Sequence, residues 1–127
     1  MRRILIVDDS PVVLAQLSHD LADDYEIVTA GSGEEAIEIL EVLIRGNVCF
    51  SNLFDLIITD LKLPGMTGFE LAEYVRKKNK FNRYTPVILL TTEKISTDEA
   101  RKHGCVAHFS KSDKQRLVSM VRMLMSL

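Results

Sequence analysis

Five short apolar runs, separated by longer stretches whose apolar residues recur every three or four positions, restrict this chain to few folds. Arg3 to Val7, Glu26 to Thr29, Asp55 to Thr59, Pro86 to Leu90 and Cys105 to Phe109 read as strands. Ile4-Leu5-Ile6-Val7, Leu56-Ile57-Ile58 and Val87-Ile88-Leu89-Leu90 lack any polar alternation, as strands buried on both faces should, and are expected at the centre of the sheet. A strand-helix unit repeated in this way is an α/β fold, (βα)5: a doubly wound parallel five-stranded sheet with helices on both faces. The expected strand order is flavodoxin-like, 2-1-3-4-5.

The helical stretches carry their own boundaries. Ser10-Pro11 is an N-cap followed by a first-turn proline, and Val13, Leu14, Leu17 and Leu21 share one stripe before Asp23-Asp24. Ser32 and Glu35 form a capping-box pattern for a second helix with Ala36, Ile37, Leu40, Leu43 and Ile44 on its apolar face, closed by Gly46. Further helices are expected at about Thr67 to Asn79, Ser96 to His103 and Asp113 to Met125. The stretches Gly46 to Phe54 and Phe81 to Thr85 read as loops. The apolar Val48, Phe50, Leu53 and Phe54 are expected to fold back on the core.

Composition agrees and removes several functions. At 127 residues, 46% hydrophobic and 27% charged, residues 1–127 are expected to form one domain. A formal charge of −2 gives no global basic field, so no direct nucleic-acid binding is expected. Cys49 and Cys105 offer no zinc spacing or disulfide framework. Asp8-Asp9 cut the first apolar run too short for a signal peptide, and no run approaches the ~20 residues that span a bilayer. A cytoplasmic protein without membrane contact is expected.

In open parallel sheets, ligands bind outside the carboxyl ends of the strands. There the first strand delivers Asp8-Asp9, the third Asp60 and the fourth Thr91-Thr92, and Lys111 follows the fifth. With the first and third strands adjacent, three carboxylates converge beside a lysine and a hydroxyl. Like charges so close require a counter-ion. Hard carboxylate oxygens with no His or Cys nearby suit Mg²⁺, or Mn²⁺ in its place. A single aspartate at such a position is as readily a helix cap or loop carboxylate; the set at matching strand ends carries the reading.

Val7-Asp8-Asp9-Ser10, then Asp60-Leu61-Lys62-Leu63-Pro64-Gly65-Met66-Thr67-Gly68, then Leu90-Thr91, then Lys111 resemble the response-regulator receiver family of CheY-like proteins in two-component signalling. The resemblance covers essentially the whole chain. It implies that Asp60 is the phosphoacceptor, taking a phosphoryl group from a sensor histidine kinase or phosphotransfer domain. Asp9 and Asp60 would hold Mg²⁺ directly and Asp8 through water, with the backbone carbonyl of Lys62 as a further ligand. Lys111 and Thr91 would contact the phosphoryl group, Thr91 also serving as a switch. Such a chain is a signalling switch that catalyses its own phosphorylation and dephosphorylation, not an enzyme acting on other substrates, and its downstream protein target is not implied.

Several positions depart from the family pattern. Ser112 follows Lys111 where the family usually has a proline in a cis bond; a trans Lys111-Ser112 bond is expected, because a cis bond before a non-proline costs roughly 2.5 to 4 kcal/mol. His108 stands at the usual switch aromatic; a pH-sensitive switch ring is one reading, and an exposed edge-strand histidine is preferred. Phe109 is expected on the other face of its strand. Only 20 positions separate Thr91 from Lys111, so the fourth helix is expected to be trimmed. Lys62 and Glu93, each two residues past a site residue, are expected to pair across the mouth and slow hydrolysis of the Asp60 phosphate.

Two other functions compete with this one. A receiver-like module that binds protein without phosphorylation would keep the fold, and Ser112 and His108 suggest it. A flavin or nucleotide enzyme needs a phosphate-cradling loop where Asp8-Asp9 stand, and an aspartate-nucleophile phosphatase needs a second aspartate where Ser10-Pro11 stand.

Overall fold

The computed structural model describes residues 2–45 and 53–126, with the side chains of 42–45 outside that description. Five strands form one parallel sheet: β1 (Arg3–Val7), β2 (Glu26–Ala30), β3 (Leu56–Thr59), β6 (Val87–Thr91) and β7 (Ala107–Ser110). Their order is β2-β1-β3-β6-β7, the expected flavodoxin-like arrangement. Between β3 and the third helix lies an unexpected antiparallel hairpin, β4 (Lys62–Leu63) with β5 (Met66–Thr67). Gly65 turns it at a φ of 77°, a conformation that glycine adopts without Cβ strain.

The five helices are α1 (Pro11–Leu21), α2 (Gly33–Arg45), α3 (Gly68–Lys78), α4 (Thr97–Lys102) and α5 (Lys114–Met125). Alternate residues of the strands supply two separate cores. Leu5, Val7, Ile57, Val87 and Leu89 pack with Ala36 and Leu40 of α2, Leu71 and Val75 of α3 and Ala100 of α4. Ile4, Ile6, Leu56, Ile58, Ile88 and Leu90 pack on the opposite face with Leu17 and Leu21 of α1 and Leu117 and Val121 of α5. The three continuously apolar runs are thus the central strands, buried on both sides.

Local differences from the sequence reading have local causes. Ser32 caps α2 by accepting from Glu35 N–H, but the Glu35 carboxylate accepts from Gly31 N–H rather than closing a box on Ser32. The full capping box occurs instead at α3, between Thr67 and Glu70. β7 starts two residues later than expected: Gly104, at a φ of 91°, turns the chain, and Cys105 N–H closes α4 onto the Ala100 carbonyl. Phe54 is buried as expected, whereas Leu53 is half exposed. The expectations for Gly46, Val48, Cys49 and Phe50 lie outside the described residues. Among the described residues, no helix is long and apolar enough to cross a membrane.

Candidate functional site

β1 and β3 lie side by side, with Val7 opposite Thr59, so Asp8 and Asp60 leave the sheet together at its carboxyl edge. Two backbone bonds fix this junction: Asp60 N–H donates to the Val7 carbonyl at 2.9 Å and Asp8 N–H to the Ala30 carbonyl at 3.0 Å. Asp8 also accepts from Ser10 N–H at 2.9 Å through Oδ1. Asp8 and Asp60 are buried while Asp9 is exposed, and carboxylate oxygens from all three lie within 4.8 Å of one another.

Lys111 reaches this group from the far side of the sheet. Its Nζ is 2.7 Å from Asp60 Oδ2 and 2.8 Å from Asp8 Oδ2. Burial pulls the ammonium pKa down, but the hydrogen bonds and charges of Asp60 and Asp8 outweigh it, so Lys111 is held above its ordinary value. The lysine is the built-in counter-ion for two of three crowded carboxylates. A donor set of carboxylate oxygens with no softer ligand among them fits a small hard cation such as Mg²⁺.

Lys111 is positioned without a proline. The Lys111-Ser112 bond is trans, as expected, since no described residue has a cis bond. Lys111 begins a 3₁₀ turn, Lys111–Asp113, capped by the Ser110 hydroxyl, which accepts from Ser112 N–H at 3.2 Å. Lys114 Nζ donates to the Lys111 carbonyl at 3.0 Å. The Ser112 N–H that makes the capping bond is one that a proline would lack.

The other expected residues surround this centre. Thr91 is buried at the end of β6, and its hydroxyl accepts from Glu93 N–H at 3.2 Å. Lys62 and Glu93 do pair, 2.7 Å apart. Glu93 holds the Lys62 ammonium above its ordinary pKa, by hydrogen bond first and charge second. Lys62 itself lies on the hairpin that follows Asp60-Leu61. His108 is half-buried rather than exposed, with Nε2 3.4 Å from the Thr97 hydroxyl, because α4 packs over this edge of the sheet. Phe109 points to the other face and packs with the α1/α5 core. α4 has six residues between its caps Ser96 and His103, the short helix expected.

Three contributors were not visible in the sequence. The buried Thr59 hydroxyl donates to the Asp60 carbonyl at 3.0 Å. Gly68 admits the same carbonyl so closely that a Cβ there would lie 2.2 Å from the oxygen. Gly33 receives the Met66 side chain, whose sulfur would sit 2.1 Å from a Cβ, tying the hairpin to the start of α2. Each depends on a through-space approach, of which the sequence shows only the residue: two glycines, Gly68 within the motif that follows Asp60, and a threonine.

Comparison with known proteins agrees with this geometry. A profile of the response regulator receiver domain matches residues 4–122. The chain belongs to the response regulator receiver family. This receiver is similar to the chemotaxis response regulator CheY4 of Vibrio cholerae, with a TM-score of 0.78 and 31% identity over 98% of both chains. It is also similar to the response regulator TrrA of Thermotoga maritima, solved in complex with Mg(2+)-BeF, with a TM-score of 0.75 and 34% identity over 98% of this chain and 99% of that one. Among curated relatives, the rice two-component response regulator ORR6 (Oryza sativa subsp. japonica) is 30% identical over 126 residues, covering 94% of this receiver and 70% of the relative. A probable cyclic di-GMP phosphodiesterase of Vibrio cholerae is 38% identical over 96 residues, 76% of this receiver. The receiver spans only 20% of that phosphodiesterase's length.

Proposed function

We propose that this receiver, residues 1–127 as one domain, is a phosphorylation-activated switch whose phosphoacceptor is Asp60. The donor is the phosphohistidine of a sensor histidine kinase or phosphotransfer domain, and the setting is the cytoplasm, with no direct nucleic-acid or membrane contact. One observation carries the reading: a carboxylate at the carboxyl edge of the sheet, hydrogen-bonded at 2.7 Å to a lysine and flanked by two more aspartates.

In the proposed step an Asp60 carboxylate oxygen attacks phosphorus in line, and the bond from phosphorus to the donor imidazole nitrogen breaks. That nitrogen takes up a proton from solvent, and Asp60 becomes an acyl phosphate. Catalysis of this kind rests on positioning and charge. Lys111 already sits on the attacking carboxylate, so its ammonium is in place to offset charge on the transferred oxygens. Asp9 and Asp60 would hold Mg²⁺, or Mn²⁺ in its place, directly, with Asp8 through water and the Lys62 carbonyl as a further ligand. Such an ion would supply positive charge to the phosphoryl oxygens.

The Thr91 hydroxyl, now engaged by Glu93 N–H, acquires a competing dianionic partner on phosphorylation, and its exchange between the two biases the α4 to β7 surface. The domain is therefore a switch, not an enzyme that turns over an external substrate. The test is intact-mass measurement after incubation with acetyl phosphate and Mg²⁺. One phosphoryl adduct is expected on the native chain and none on Asp60→Asn. The rival, a binding module that works unphosphorylated, is favoured by Ser112 in place of proline; it predicts no adduct and no response to beryllofluoride with Mg²⁺.

A further inference from the structure

The loop that joins α3 to β6 lies at the end of the sheet opposite Asp60, and its exposed side chains are cationic or aromatic. From residue 76 to residue 84 the chain reads Arg-Lys-Lys-Asn-Lys-Phe-Asn-Arg-Tyr, without a single acidic residue. Only Asn79 and Asn82 are buried, at 1% and 0% exposure. Lys78, Lys80 and Arg83 make no ion pair among the described residues. Tyr84 is 88% exposed and Phe81 50%, with the Arg83 guanidinium 5.3 Å from the centre of the Tyr84 ring.

The two asparagines hold this loop rigid. Asn82 Oδ1 accepts from Phe54 N–H at 2.8 Å, and its Nδ2 donates to Asn79 Oδ1 at 3.1 Å. Asn79 Nδ2 donates to the Leu40 carbonyl at 3.2 Å, tying the loop to α2. Fully buried polar side chains are costly unless satisfied, and here they fix a solvent-facing turn that takes no part in the Asp60 site. A turn ordered in advance loses little entropy on binding.

We propose that this turn is a docking surface for an acidic protein partner, independent of the phosphoryl chemistry at Asp60. Unpaired cations call for anionic groups, and Tyr and Arg side by side are the composition that concentrates binding energy at protein interfaces. Nucleic acid is disfavoured because the chain carries a formal charge of −2 and no global basic field to hold a phosphate backbone. A lipid surface calls for apolar side chains that penetrate, and Phe81 is half covered. β6 separates the turn from the carboxyl edge by five residues, about 17 Å at ~3.3 Å per residue, so a partner seated here leaves Asp60 open to its donor.

Fluorescence anisotropy with labelled poly(Glu,Tyr), polyglutamate and oligouridylate, and sedimentation with phosphatidylglycerol vesicles, test the proposal on the full chain. The acidic polypeptides are expected to bind, poly(Glu,Tyr) more tightly. The charge-reversed pair K80E/R83E should weaken that binding roughly tenfold or more, and Tyr84→Ala should remove the preference for poly(Glu,Tyr). Lys94→Glu, beyond the opposite end of β6, should leave binding unchanged. Circular dichroism of each variant separates a lost surface from a lost fold. The proposal is overturned if the polypeptides do not bind, if Lys94→Glu weakens them as much as K80E/R83E does, or if oligouridylate or vesicles bind more tightly. Acetyl phosphate labelling is expected to be native in all three variants, so failure here and failure of the Asp60 reading are distinguishable.

Discussion

Lys111 and Asp60 show how much a single contact decides. A lysine shared between two buried carboxylates offsets part of their charge and ties Asp60 to Asp8 across two strands. The Lys62–Glu93 pair is different in kind: it lies at the surface, where solvent screens such a pair and leaves it little weight in stability. Its position beside Thr91 and Asp60 gives a prediction for the proposed switch. Lys62→Ala and Glu93→Ala are each expected to accelerate loss of the Asp60 phosphate several-fold, read by dephosphorylation after removal of donor, with unfolding midpoints unchanged. Cys105 gives a pH prediction. Burial pushes its thiol pKa up to about 11, against a smaller opposite pull from the Arg76 charge. The resulting stability is fully present below the ordinary thiol range near ~8.5 and is lost as pH rises toward about 11. Urea unfolding of the native chain should therefore weaken across that window more steeply than that of Cys105→Ala.

At the scale of elements, the joint between β3 and α3 positions Asp60. Asp60 is anchored through its N–H to β1 and through its carbonyl to the Thr59 hydroxyl, while Gly68 N–H bonds the Leu61 carbonyl at 2.7 Å. Gly68→Ala drives a methyl into the Asp60 backbone, which cannot rotate away as a side chain would. A loss of about 1 to 3 kcal/mol is expected, with slower phosphorylation by acetyl phosphate because the carboxylate is displaced. Thr67→Ala removes only the cap of α3, and about 0.5 to 2 kcal/mol with phosphorylation retained is the expected contrast. Thermal melts and labelling rates on the same two variants separate these effects.

Across the whole molecule, one sheet divides two cores that share no side chain. Ile88 packs toward α1 and α5, and Leu89 toward α2, α3 and α4, yet both are wholly buried. Truncation of either to alanine should cost about 2 to 5 kcal/mol, and both variants should still melt in one transition because the strands couple the layers. A separate low-temperature transition in either would contradict that coupling. The strands, the helices and the aspartates at strand ends were legible in the chain because they rest on periodicity and on adjacency in sequence. The β4–β5 hairpin was not, since two-residue strands have no period, and neither was the half-buried state of His108, which depends on where α4 comes to rest. Sequence alone settled the α/β architecture, the two-faced burial of the central strands and the identity of the acidic residues, because side-chain hydrophobicity and its spacing act locally. Tertiary structure decided which carboxylates share Lys111, how a chain without the usual proline holds that lysine, and which glycines admit a backbone or side chain. Those are distances between residues far apart in sequence, and they come into being only when β1, β3 and β7 take their places in one sheet.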